Sequence, residues 1–304
     1  MCIIKVKKRG DGMEYAEIRS ESERVLALLS RYLNLTPDAI RAEQMYSILG
    51  EENPKTEERV FAILLASFCG LDIYRNREDK ELFRRYFLPA VRRLDPAEYE
   101  NDLYHRLIRI PEVSRDGWEL STKRYRPYEA FVRDDPARDF AGRVIPSIGY
   151  FPREYRYPAV LEGGREWMLI TPNEINTMKA PIAASHGRIL TFGLGLGYFA
   201  LHASEKPEVA EVTVVERDER VIGLFREYIL PQFPHRDKLR VVRADAFAYA
   251  GEHLGDGFDT VFTDLWHDPS DGISLYRRMK RLAAEHPGPD YHYWIEKTLK
   301  IYGA

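Results

Sequence analysis

The stretch Ile189-Leu190-Thr191-Phe192-Gly193-Leu194-Gly195-Leu196-Gly197-Tyr198 constrains this chain more than any other. A short apolar run, Arg188 to Phe192, gives way to three alternate glycines, and a helix-forming segment to about Lys206 follows. Glycine adopts positive φ and lets other atoms come close to the backbone. The helix start beyond it presents unpaired N–H groups. A strand, a glycine turn and a helix in that order make a βα unit whose turn is a candidate ligand cradle. The alternation continues downstream. Glu211 to Glu216, Leu239 to Ala244 and Asp259 to Thr263 read as strands, with Tyr291 to Ile295 as a fifth. Asp218 to Tyr228 and Ile273 to Glu285 read as helices. This pattern predicts an α/β fold with a Rossmann-like parallel sheet and helices on both faces.

Spacing then separates ligands. A dinucleotide-binding turn requires G-x-G-x-x-G. Counted from Gly193, the third glycine would fall at Tyr198, and the chain reads G-x-G-x-G instead. An NAD oxidoreductase is therefore the weakest of the readings. Glu216 closes the second strand, about twenty residues past the glycines, where a carboxylate accepts both hydroxyls of a ribose. Asp218 follows as an N-cap. Asp245 ends the third strand and Asp264 the fourth. All three strand-end carboxylates face the crevice in which open α/β sheets bind ligands.

On these residues the chain resembles the class I S-adenosylmethionine (SAM)-dependent methyltransferases, whose first motif is a G-x-G-x-G turn. The resemblance implies that Gly193, Gly195, Gly197 and Glu216 hold the cofactor and that Asp245 accepts from the adenine amino group. It places Tyr198 and Trp266 against the ligand or along the acceptor pocket. Within the superfamily the chain looks most like the spermidine synthase (aminopropyltransferase) branch. A β hairpin precedes the glycine unit, and Thr191-Phe192 stands where many methyltransferases carry an acid. Asp264-Leu265-Trp266-His267-Asp268-Pro269 is similar to that branch's D-x-x-D-P segment. The likeness covers about 155 to 304. Leu196 replaces the branch's acid inside the turn, and His267 holds the slot of the second Asp. Thr171-Pro172-Asn173-Glu174 is the nearest counterpart of its Tyr-His-Glu stretch.

The resemblance implies a SAM-dependent transferase, most simply a methyltransferase acting on a small molecule. The alternatives are an aminopropyltransferase-like enzyme using decarboxylated SAM and a non-catalytic adenosyl-binding module. Alkyl transfer from a sulfonium is an in-line displacement, so the protein must align the acceptor and remove a proton. Asp264, His267 and Asp268 are the catalytic candidates, with Asp264 orienting the acceptor or serving as base and His267 assisting. As metal ligands these three would crowd one short loop, and no metal is expected. Relatives of the branch are often dimers, which implies a homodimer.

The rest of the chain carries less chemistry. Residues 1–112 read as a helical domain. Ser20 with Glu23 suggests a capping box, Thr36-Pro37 a helix start, Gly50 a stop and Asp95-Pro96-Ala97-Glu98 another start. Residues 113–178 read as a small β layer and connector, with strands Tyr155 to Leu161 and Glu166 to Thr171 joined at Gly163-Gly164. Residues 179–304 form the Rossmann-like domain. The formal net charge of −3 argues against a nucleic-acid partner. The basic clusters Lys5 to Arg9 and Lys123 to Arg126 read as solvated surface. Cys2 and Cys69 make neither a zinc pattern nor a disulfide framework. The opening residues hold too short an apolar run for a secretion leader, and no run approaches the ~20 apolar residues of a membrane span. A cytoplasmic location is the expectation.

Overall fold

The computed structural model describes residues 11–48 and 54–303. Cys2, the Lys5 to Arg9 cluster and Gly50 lie outside the described residues. The chain divides into two units, one of Met1–Leu94, Arg126–Val132 and Pro136–Arg153, the other of Asp95–Tyr125, Arg133–Asp135 and Glu154–Ala304. The expected boundaries after 112 and 178 do not coincide with these units. The reason is a long antiparallel pairing. Trp118–Tyr125 runs against Tyr155–Glu162 from Trp118↔Glu162 to Tyr125↔Tyr155, so most of the chain between the two strands belongs to the other unit.

The first unit is largely helical. Asp11–Leu35 is one helix, so Ser20 lies within it and starts nothing. Thr36-Pro37 opens a turn in which the Thr36 carbonyl accepts from Ala39 N–H, and the next helix begins only at Ala42. The helix Pro54–Phe68 and the Arg77–Ala90 segment close the core. Phe61 stacks on Tyr150 with ring centroids 4.0 Å apart, and both are fully buried. Asp79, also buried, accepts from Arg24 and from the Asp72 N–H.

The second unit carries the glycine turn. An antiparallel sheet of four strands, Val113–Arg115, Trp118–Tyr125, Tyr155–Glu162 and Arg165–Leu169, includes the expected hairpin. The Rossmann-like sheet is fully parallel. Its strands are β1 (Gly187–Phe192), β2 (Val209–Glu216), β3 (Leu239–Arg243), β4 (Thr260–Thr263) and β5 (Asp290–Tyr293). They lie in the order β3-β2-β1-β4-β5. The chain moves to one side from β1 and later returns to pair β4 on the other side. That reversal is the switch point outside which such sheets bind ligands.

Helices α1 (Tyr198–Ser204), α2 (Glu219–Leu224), α3 (Ala246–His253) and α4 (Pro269–Glu285) supply the crossovers, and α5 (Glu296–Ile301) follows β5. The chain continues α2 as a wider helical turn over Phe225–Ile229. Ile189 to Phe192 and Thr260 to Thr263 are buried throughout, as expected of central strands covered on both faces. Helix α3, with Asp245 accepting from Phe247 and Ala248 N–H, has no counterpart among the expected elements. Among the described residues no helix is long and apolar enough to cross a membrane.

Candidate active site

A cavity of about 440 Å³ opens at the carboxyl ends of the parallel strands, within the ~300–1,000 Å³ range of small-ligand sites. One wall is the glycine bend. Gly193 has φ +99, and a Cβ on it would lie 1.9 Å from the Asp264 carbonyl oxygen. Only glycine lets β1 and β4 meet so closely at the switch point. Gly193 N–H donates to the Val215 carbonyl at 3.0 Å, and Asp264 N–H to the Phe192 carbonyl at 2.9 Å, which fixes the bend between both neighbouring strands.

Glu216 faces this bend. Its Oε2 accepts from Leu194 N–H at 3.3 Å, and Oε1 from Asp218 N–H at 2.8 Å. The carboxylate is thus held at the lip of the cavity by two main-chain donors. Asp245, at the end of β3, also lines the cavity, and its Oδ1 accepts the two capping N–H groups of α3 at 3.0 Å each.

The lining is acidic and apolar by turns. Asp264, Glu174, Trp266 and Trp294 all belong to it. Glu174 stands in the first turn of the helix Pro172–Ala184. Trp294 Nε1 donates to Thr177 Oγ1 of the same helix at 3.0 Å. The next residue, Ile295, has φ +44, a left-handed conformation that a β-branched residue rarely adopts and that clusters at functional sites. Burial pushes the Asp264 carboxyl up to about 7. Burial also raises Glu174, and the charge on Asp264 raises it further. Asp264 is the group that ionises first, with Glu174 still neutral, and its negative charge then holds the Glu174 proton in place. Of this pair, Asp264 is therefore the one that exchanges its proton near neutral pH, while Glu174 stays a carboxylic acid.

His267 reaches the rim. Its Nδ1 lies 3.0 Å from Asp271 Oδ2, and its ring meets Trp167 edge-on at 4.4 Å between centroids. Burial would raise Asp271, but hydrogen bonds from His267 and the Asp268 N–H outweigh it and hold its carboxyl low. Asp271, which lines the cavity, went unrecognised in the sequence, although it is the third residue of a capping box that D-x-x-D spacing announces.

Of the sequence-derived candidates, Gly193, Gly195, Glu216, Asp245, Asp264 and His267 line one cavity. Asp268, Gly197 and Tyr198 do not. Asp268 caps α4, accepting from Ser270 N–H at 2.6 Å. Gly197, at φ +75, makes room for Phe225, whose ring would lie 2.5 Å from a Cβ. Tyr198 is buried behind the bend and donates to Asp102 Oδ2 at 3.0 Å. There it belongs to a supporting cluster. Tyr104 Oη donates to the Leu196 carbonyl at 2.7 Å, and Asp102 also meets His202 Nε2 at 3.3 Å. Like Asp271, Glu174 lines the cavity but was not among the sequence-derived site candidates; its place as the last residue of the Tyr-His-Glu counterpart was the signal.

No family model matches the chain, and no curated protein matches it. It is similar in part to solved structures. One is spermidine synthase from Thermotoga maritima, at 16% identity over 40% of this chain and 48% of that one, with a TM-score of 0.31. Another is spermidine synthase in complex with the transition state analogue AdoDATO, at 16% identity over 43% and 50%, with a TM-score of 0.35. A third is cofactor-bound Rv0187 from MTB, at 21% identity over 35% and 48%, with a TM-score of 0.28. The chain spans about half the length of these structures.

Proposed function

We propose that this protein is an adenosyl-dependent transferase, most simply a SAM-dependent methyltransferase acting on a small molecule. The observation that carries the reading is Glu216, clamped by Leu194 and Asp218 N–H groups against a glycine bend that opens on a ligand-sized cavity. A carboxylate so placed suits a ribose diol, whose paired hydroxyls give a two-point contact. The residues fit an adenosyl group in two further ways. Asp245 stands one strand beyond Glu216, in reach of a base. Trp266 lines the same cavity with an aromatic face against which an adenosyl group could pack.

When bound, SAM supplies an electrophilic alkyl carbon on a positively charged sulfur. The protein's part is to align the acceptor and take its proton. We assign Asp264 that role, since its carboxyl, raised to about 7, exchanges a proton near neutral pH. In such a transfer an Asp264 carboxylate oxygen would take the acceptor's proton. Glu174, still protonated, does not compete for that proton. His267 stands at the rim, tied to Asp271.

A second reading draws support from charge. Glu166, Glu174, Glu216, Asp245, Asp264 and Asp271 line the cavity against Arg217 and His267. An acidic lining favours a cationic occupant, which suits an amine acceptor and an aminopropyltransferase-like enzyme using decarboxylated SAM. Isothermal titration with SAM and with decarboxylated SAM tests both. The expected result is micromolar binding of one of them, weakened at least tenfold in Glu216→Ala. Failure of both to bind refutes the proposal, and binding without transfer to amine, hydroxyl or thiol acceptors leaves a non-catalytic adenosyl module.

A further inference from the structure

The middle of the glycine bend already has an occupant. Leu196 N–H donates to Met168 Sδ at 3.1 Å, and a Cβ on Gly195 would lie 1.8 Å from the same sulfur. In this structure Gly195 is thus required by a side chain of the protein itself, and the amide that a ligand would use is taken by a thioether.

The hairpin aims that side chain deliberately. Leu161 pairs with Glu166 and Val160 with Met168, so Trp167 is an unpaired bulge residue. A bulge breaks the strict alternation of a strand and redirects the residues after it. Glu166, Trp167, Met168 and Leu169 consequently all line the cavity, where a regular strand would send alternate residues away. Their strand is also the edge of its sheet, with Met168 only half-buried.

The two sides of the bend differ in stiffness. Behind it, Tyr104 Oη fixes the Leu196 carbonyl at 2.7 Å, and Tyr104 is fully buried. In front lies an unbranched side chain with three rotatable bonds, whose sulfur is a weak acceptor. The backbone is held and the thioether is free to leave.

We infer that Met168 is a displaceable occupant of the glycine bend. An adenosyl ligand enters by moving the Met168 thioether aside and taking over the Leu196 N–H, so Met168 sets how tightly the bend accepts a ligand. The inference rests on the adenosyl reading above. It deepens that reading by assigning the competitor that any occupant of the bend must overcome.

The test uses the full chain labelled with 13C at the methionine methyls, with Met168→Leu giving the assignment and S-adenosylhomocysteine as the probe. The Met168 methyl resonance is expected to move on saturation. Met168→Ala, which frees the amide and the space over Gly195, is expected to bind the probe roughly two- to twelvefold more tightly, the range of one hydrogen bond of about 0.5–1.5 kcal/mol. A Met168 resonance unmoved at saturation, or a Met168→Ala protein that binds equally or more weakly, overturns the inference. Absence of binding by both proteins overturns the adenosyl reading, and the inference falls with it.

Discussion

Replacing Asp264 with asparagine should make the protein more stable, and more so as the pH rises. Asp264 is held protonated by burial, from its ordinary 3.8 to about 7. The sign follows from proton binding. Between those two values the folded state keeps a proton that the unfolded chain has released, so folding loses stability as pH rises through this window and the loss is complete above about 7. At about 1.4 kcal/mol per pH unit, the whole rise sets a ceiling of about 4 kcal/mol. Asp264 faces an open cavity and is only half-buried by its exposed surface, so solvent screening roughly halves that figure. Between pH 5 and pH 8, where about two of the three units fall, the expected change is about 1–2 kcal/mol. Urea unfolding of the wild type and Asp264→Asn at pH 5 and pH 8 measures it. The asparagine variant should gain about 1–2 kcal/mol relative to the wild type on going from the lower to the higher pH. Two proteins whose stabilities run parallel over this range would refute the claim that burial perturbs this carboxyl. Activity should move in the opposite sense, because the ionised form is the proposed base. Turnover of the wild type rises through about pH 7, and Asp264→Asn loses that rise together with most of the rate.

Three further substitutions probe the bend by circular-dichroism melts and denaturant titration. Gly193→Ala should cost about 3 kcal/mol or more, since its Cβ meets a backbone oxygen at 1.9 Å, whereas Gly195→Ala should cost only about 1–2 kcal/mol, since its obstacle is the flexible Met168 side chain. Equal losses would contradict this account. Tyr104→Phe should cost about 1–2 kcal/mol by leaving the buried Leu196 carbonyl without its donor, and an unchanged midpoint would show that the bend needs no support from behind.

The parallel sheet was legible because its central strands are apolar on both faces. Ile189 to Phe192 and Thr260 to Thr263 are buried without a break, and an acid stands at or just past the end of each of the strands that end at Glu216, Arg243 and Thr263. Glu216, Asp245 and Asp264 could be placed for that reason alone. Local signals failed where a different partner claimed the residue. Ser20 and Glu23 have capping spacing, yet the helix is already under way from Asp11. Tyr198 sits next to the glycines, but its hydroxyl is claimed by Asp102, a residue from a distant helix start. Met168 depends on a one-residue bulge, which alternation of side chains does not encode.

The Asp264 to Asp268 segment shows why residue type alone does not assign chemistry. Both are aspartates within one short loop, and the D-x-x-D-P likeness treats them as a pair. Asp268 precedes Pro269 at the start of α4, so its carboxylate turns to the Ser270 N–H and serves the helix. Glu216 and Asp245 likewise receive main-chain donors. Asp264 is perturbed by burial alone, with no hydrogen bond offsetting it, and Glu174 by burial and the charge of Asp264. A carboxylate fixed by backbone N–H groups is held in one orientation and suits holding a ligand. One left without them, against a second carboxyl, is the group whose proton is mobile near neutral pH. On the proposed function, the division between binding and chemistry in this cavity would follow the main-chain donors. Glu174 would enter the chemistry because the helix Pro172–Ala184 brings it to the strand-end acid that, among the described residues, lacks them.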